Sequence, residues 1–399
     1  MTKLEFKDRA VTFLSHFDAL HEQATQATGL SDFGSDEYQE PLRLMLRDAD
    51  QHARLGDFGK AMLTGMIVGD LSARLRDEHG FKTYPQYLST PIKKPIIIVG
   101  MMRSGTTVLH RLMGMDPAMQ TLPMWLTAHP MPRPARATWE SHPGYHQVQQ
   151  GFDQLYQLSP QFEQFHPQSA AAADEDRYLL AHSFFTYTAA AMANIPEYAD
   201  WLDNSNAGYA YRYYRKVIAL IGGGSEKRWL LKCPLHLWHI VSLLEAFPDA
   251  CIVMPHRDPV KTVTSIISLV YLMRKLAEPD TTPEWYGKDQ LARWGRLLRK
   301  WEQDRLKIDP ARIYDIHGDD IRADPVGSIE RIYAHFDIPV SDEARNVWRQ
   351  QVNKDPSGGH GAHSYQPEEF GITAKEIREG VGAHYERYLE IEKTRRSAR

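Results

Sequence analysis

The chain has 399 residues, of which 42% are hydrophobic and 25% charged, and its formal net charge is -4. That size allows one large α/β domain or two medium ones, each with a sizeable core. The mild acidity excludes the broad basic footprint of a nucleic-acid or anionic-membrane binder, so any positive site must be local.

The start of the chain, Met1-Thr2-Lys3-Leu4-Glu5-Phe6, carries acid and no long apolar region, and so does not read as a signal peptide. No apolar run approaches the ~18–20 residues of a membrane span, which makes a cytoplasmic location the expectation. Residues 1–90 read as helical. Leu42, Met45, Leu46, Ala49 and Ala53 form one apolar stripe, and Met62, Leu63, Met66, Ile67, Leu71 and Leu75 form a second. Gly80 reads as a helix stop, and Thr28 to Ser35 reads as a loop.

Pro95-Ile96-Ile97-Ile98-Val99 reads as a buried strand. It runs into Gly100-Met101-Met102-Arg103-Ser104-Gly105-Thr106-Thr107, with Ser104 as a helix cap and a helical pattern through Val108, Leu109, Leu112 and Met113. Strand, glycine loop and helix N-terminus together make an anion site. The spacing of Gly100 and Gly105 is that of a P-loop, but Thr106 stands where the P-loop lysine would be, and the nearest cation is Arg103. The prolines at 130, 132 and 134 then mark irregular chain that leaves the same strand end. Residues 140–222 read as mainly helical and rich in aromatic residues, with Asp174-Glu175-Asp176 as a helix start. Gly222-Gly223-Gly224 follows a helical stretch and reads as a plain turn.

Further strands are expected at 228–232, 251–254 and 312–316, with helices at 236–247, 260–270, 283–306 and 324–336. Their alternation predicts βαβ units and a parallel sheet. Cys233 and Cys251 do not form a CxxC pair, so neither a disulfide scaffold nor a zinc site is suggested. Ser357 to His363 is Gly/His/Ser-rich and loop-like.

In an open parallel sheet, ligands sit beyond the carboxyl ends of the strands. Arg103, Lys232 and Arg257 each fall at such an end, and together they predict a polyanion site. A nucleoside-triphosphate enzyme would need the P-loop lysine and an acid holding Mg²⁺. Here a cation, Arg257, occupies the place of that acid, so the site is expected to work without metal.

Gly100 to Thr107 resembles the 5′-phosphosulfate loop of sulfotransferases that use 3′-phosphoadenosine 5′-phosphosulfate (PAPS). His256 to Ser265 resembles their 3′-phosphate motif, and Leu231-Lys232-Cys233-Pro234-Leu235-His236 resembles the Leu-Lys-Ser-Pro-x-His segment of a bacterial branch. The resemblance spans nearly the whole chain. It implies that Ser104, Gly105, Thr106 and Thr107 bind the 5′-phosphate and that Arg257 and Ser265 bind the 3′-phosphate. Arg103 contacts the donor too, and with Lys232 offsets charge on the bridging oxygen as the sulfuryl group leaves.

The acceptor hydroxyl needs a base. Many relatives carry a Glu about twenty residues after the loop arginine, often after Trp; here Trp125 is followed by Leu126. His236 is the first candidate, Glu175 the second and His129 the third. His256 reads as structural, and His360 and His363 sit in a loop that would close over PAPS.

The expected fold is α/β: a P-loop-like parallel β-sheet flanked by helices on both faces. Residues 1–90 form a helical extension packed on the core, and residues 91–399 form the sulfotransferase domain with a helical insertion at 135–225. The expected activity is sulfuryl transfer from PAPS to a hydroxyl of a small apolar or aromatic acceptor, leaving 3′-phosphoadenosine 5′-phosphate (PAP). No metal, nucleic acid or membrane span is expected, and a homo-oligomer stays open. A homologue that binds the nucleotide without turnover, or a P-loop kinase, are the alternatives.

Overall fold

The structure is a computed structural model that describes residues 12–158, 168–354 and 365–397. At its centre lies a parallel sheet of β1 (Ile96–Ile98), β2 (Met119–Gln120), β3 (Arg228–Lys232), β4 (Cys251–His256) and β5 (Ile313–His317), in the order β2-β3-β1-β4-β5. β1 is the middle strand, with Ile98 in register with Lys232 on one side and Val253 on the other. β2 is absent from the sequence expectation, because two residues carry no periodicity.

Side chains alternate along β1 and feed two cores. Ile97 and Val99 enter the larger core, while Ile96 and Ile98 enter a second. The second is closed by α4 (Thr106–Met113) and by Ile321, Ile329 and Ile332 beyond β5. The sheet is thus covered by helices on both faces, as α/β patterning requires.

Before β1 come α1 (Phe17–Thr28), α2 (Gln39–His52) and α3 (Asp57–Thr83). Leu63, Ile67, Leu71 and Leu75 on α3 are fully buried, as the stripe predicts. Gly80 does not end the helix, which continues to Thr83. It instead permits a close approach, since a Cβ there would lie 2.5 Å from Leu220 Cδ2. Arg74 ties this region to the rest of the chain. Its guanidinium donates to the carbonyls of Phe33, Ser35 and His182 and lies over the rings of Tyr38 and Tyr213. A buried cation so fully satisfied costs little to keep and much to break.

Between β2 and β3 lie α5 (Trp125–Ala128), α6 (Arg177–Ala181) and α7 (Gly208–Gly222). α5 places a short helix where the sequence suggested irregular chain. After β3 the chain makes a 3₁₀ turn at Pro234–His239, and α8 (Ile240–Ala246) begins later than expected because Pro234 and the turn absorb its first residues. β4 leads into α9 (Pro259–Ala277), capped by the Asp258 carboxylate on the Val260 N–H, and then α10 (Pro283–Asp304). β5 continues directly into α11 (Gly318–Ala323).

Asp70 on α3 adds a pH-dependent cost. The residue is partly exposed, but its Oδ2 is enclosed and makes no hydrogen bond. Burial raises its pKa from 3.8 to about 7, against the opposing pull of His182 and Arg177. A carboxyl raised on folding favours its proton in the folded state. The ionised form therefore destabilises the fold as pH rises from about 4 to about 7, and fully above that. Asp70→Asn is expected to raise the melting temperature at pH 8, with the gain shrinking to nothing near pH 4. An equal gain at both pH values in thermal unfolding would rule this out.

Candidate active site

The loop after β1 is built for an anion. Gly105 takes a left-handed backbone, with φ of +104°, and lies at the N-terminus of α4. It, and not Ser104, occupies the cap position. The Ser104 hydroxyl is spent inside the loop, donating to the Met101 carbonyl at 2.7 Å. Arg103 is also left-handed, with φ of +70°, a conformation that costs a non-glycine residue about 1 kcal/mol or more. Thr106 is buried and Thr107 half-buried in the first turn of α4, whose leading N–H groups have no partner within the helix.

Guanidinium groups surround this loop. Arg257, just past β4, donates to the Arg103 carbonyl at 3.0 Å. Burial lowers the pKa of Arg257, and Arg322 and Arg103 lower it further as neighbouring like charges. Burial also lowers Arg103. Like charges gathered around helix-terminal N–H groups are costly alone, and a bound polyanion relieves them. Arg322, held by Asp319 on α11, was not singled out in the sequence, because it lies far along the chain with no motif around it. Ser265 lies half-buried on α9, whose Thr262 hydroxyl touches the Met101 sulfur at 3.5 Å and so ties that helix to the loop.

The end of β3 holds the second cluster. Lys232 is 1% exposed, and its Nζ lies 3.1 Å from Glu175 Oε1 and 3.8 Å from Asp174 Oδ1. Burial alone would lower the lysine pKa, but Glu175 and Asp174 outweigh it and the net shift is upward. Glu175 also accepts from Arg177 Nε at 2.8 Å. The Asp174-Glu175-Asp176 cluster therefore does not cap α6, where no side-chain cap bond forms. It folds onto the strand end, where the Asp176 N–H donates to the Lys232 carbonyl. The sequence gives Asp176 only a helix-start role and does not single out Arg177, because a run of acids before an apolar stretch is also what a helix start looks like.

His236 lies fully buried in the 3₁₀ turn. Its Nδ1 is 2.8 Å from the Tyr211 hydroxyl, and its Nε2 is 2.9 Å from Asp176 Oδ1, close but out of hydrogen-bond alignment. Both nitrogens thus face protein. Beside Arg177 lies a small, nearly filled pocket, lined by Leu180, Phe185, Tyr187, Tyr211 and Leu235. Leu126 is fully buried in the larger core. His129 is buried too, and burial and Arg76 lower its pKa to about 4, which keeps it neutral. His256 is bound to Asp315 at 2.6 Å. His360 and His363 lie outside the described residues.

The model of the Sulfotransferase family matches residues 95–342. The structure of sulfotransferase STF1 from Mycobacterium tuberculosis H37Rv is 35% identical with a TM-score of 0.85, covering 94% of this chain and 100% of that one. Sulfotransferase STF9 from Mycobacterium avium is 25% identical with the same TM-score of 0.85, covering 97% of this chain and 98% of that one. The omega-hydroxy-beta-dihydromenaquinone-9 sulfotransferase Stf3 of Mycobacterium bovis is 27% identical over 262 residues, 61% of this chain. The chain spans 63% of the length of that curated relative.

The loop and α11 are packed without slack. A Cβ on Gly318 would lie 2.6 Å from the Ser104 carbonyl oxygen, a backbone atom that cannot swing aside. Gly318→Ala is therefore expected to displace the loop and destabilise the protein by about 1–3 kcal/mol. An unchanged melting temperature would refute that contact.

Proposed function

The chain belongs to the sulfotransferase family, and from that premise we propose that it moves a sulfuryl group from PAPS to a hydroxyl on a small apolar or aromatic acceptor. The observation that carries the donor reading is the Arg257 guanidinium bound to the Arg103 carbonyl in the loop that leads into α4, with Arg322 near enough to Arg257 to act on its charge. It fits a ligand with phosphates at two separated points. Gly105, Thr106 and Thr107 hold the 5′ end, with Arg103, while Ser104, bound to the Met101 carbonyl, shapes the loop. Arg257 and Ser265 hold the 3′-phosphate. Where a nucleoside-triphosphate enzyme places an acid for Mg²⁺ this chain has Arg257, which disfavours the kinase alternative.

PAPS supplies the sulfuryl group. The residues of this chain do the rest by position and charge. Lys232 and Arg103 offset the negative charge that grows on the bridging oxygen as the bond to sulfur breaks. Glu175 takes the acceptor proton. Its carboxylate is the one held at the Lys232 ammonium, next to the aromatic pocket, whereas His236 is fully buried with Nδ1 on Tyr211 and Nε2 facing Asp176. His236 acts here as a support for Tyr211, and His129 takes no part. A Glu at 175 answers the loss of an acid at Leu126 and favours turnover over a silent homologue.

The phenyl and phenol rings beside the Arg177 guanidinium give an apolar acceptor with a terminal hydroxyl a suitable lining, and they would have to part to admit it, since the pocket as it stands is nearly filled. The name of the Stf3 relative specifies an acceptor of that kind, a hydroxylated menaquinone derivative. Cytoplasmic placement fits a PAPS enzyme, and no described helix is long and apolar enough to cross a membrane.

Isothermal titration with PAP tests the donor site. Binding is expected in the presence of a chelator, and Arg257→Ala is expected to weaken it by about 1.5–3 kcal/mol, the range for hydrogen bonds to a charged group. Unchanged affinity would remove Arg257 from the site. Glu175→Gln is expected to lower turnover about 10²–10⁴-fold, the usual share of a general base, while PAP affinity stays within a few fold. Wild-type turnover in that variant would return the role of base to His236.

A further inference from the structure

The geometry points to a structural zinc site at the end of β3, formed by Asp176, Cys233 and His236. One ligand atom from each lies within 4.8 Å of the others, and all these residues are fully buried. Neither oxygen of Asp176 has a hydrogen-bond partner, nor does His236 Nε2. The Tyr214 hydroxyl, beside Asp176, is also without one. A buried carboxylate left without hydrogen bonds costs several kcal/mol, and a cation bound to it removes that cost.

The histidine is arranged as a metal ligand. His236 Nδ1 shares a 2.8 Å hydrogen bond with the Tyr211 hydroxyl, and in the tautomer that carries its proton on Nδ1 the Nε2 lone pair faces the Asp176 carboxylate. Two acceptors then face each other at 2.9 Å, which a shared cation resolves. An outer partner on the second ring nitrogen is the usual companion of a zinc-bound imidazole. Thiolate, imidazole and carboxylate are also a zinc donor set, with neighbouring ligands expected roughly 3.3–3.8 Å apart. Cys233 and His236 stand three positions apart, a common ligand spacing, and Cys233 replaces the Ser of the Leu-Lys-Ser-Pro-x-His segment. As the metal–sulfur bond forms, the thiol releases its proton to solvent. Tyr214 or a water completes the four ligands. The other cluster of this kind, Asp48, His52 and Glu197, is partly exposed, and Asp48 already accepts from the Tyr198 N–H and contacts His52 at 2.6 Å.

The ion would not touch the reacting atoms. It would pin the segment carrying Glu175 and Arg177 to the turn that follows Lys232, and so act as a positioning device. The inference is independent of the sulfotransfer chemistry, and its test reads metal without turnover. The full chain is expressed with added zinc, purified without chelator, and assayed by elemental mass spectrometry. About one zinc per chain is expected. Exchange for Co²⁺ should give a thiolate-to-cobalt charge-transfer band. Cys233→Ser, which restores the residue of the related segment, should lose that band and bind zinc at least ~10–100-fold more weakly, the cost of removing even an outer partner. PAP titration of the same variant checks that it is folded. Zinc well below one per chain with no cobalt band, or a band that survives in Cys233→Ser, would overturn the site and leave Asp176 and His236 as a simple buried pair. PAP binding retained in that case would leave the donor reading untouched.

Discussion

A single buried ammonium imposes the most on this structure. Lys232 is the last residue of a strand adjacent to the middle one, and the sheet leaves it no route to water. A lysine so placed must be met by carboxylates or lose its proton. The chain meets it with Asp174 and Glu175, brought from before α6, and anchors them by the bond from the Asp176 N–H to the Lys232 carbonyl. That demand fixes a long insertion onto the strand end. It also sets Arg177 beside the aromatic pocket, because Arg177 shares Glu175 with the lysine. Acceptor side and donor side are thereby joined through one carboxylate.

The contrast with the other edge of β1 is instructive. Lys232 is answered from within the protein, while Arg257 has Arg103 and Arg322 as neighbours, offset only in part by Asp319 and Asp258. Both arrangements sit at the carboxyl ends of neighbouring strands. The first is complete and preorganised, and the second gains most when an anion arrives. Electrostatic work of this kind needs little motion during the reaction, which suits a transfer governed by position and charge.

Much of this was legible from sequence, and what was missed shares one cause. The strand at 95–99, the glycine loop and the cations at 103, 232 and 257 were readable because each is a local pattern. So was the parallel sheet, from the alternation of apolar runs and amphipathic helices. The two-residue β2 was invisible because two residues have no period. Gly80 was misread because a glycine that serves close packing against Leu220 looks the same as one that ends a helix. The acids at 174–176 were seen, but their partners lie beyond residue 230, and sequence does not show which distant cation a carboxylate will find. His236 was placed at the right strand end, yet its engagement with Tyr211 and Asp176 depends on α7 and α6 arriving together.

Leu126 shows how chemistry can change its address within a fold. Many members of the family carry an acid at this position. Here that position is fully buried in the larger core beside Trp125, where a carboxylate would be ruinous without a partner. Restoring Glu at 126 would therefore not restore a base; it would bury an unmatched charge. The acid has to come from an element that already ends at the pocket and already has a cation to steady it. Glu175 meets both conditions, and Lys232 is what makes its position affordable. On the proposed reading, the oddity beside Trp125 and the acidic run at 174–176 are two sides of one rearrangement, in which the proton-accepting group is tied to the same lysine that serves the leaving oxygen.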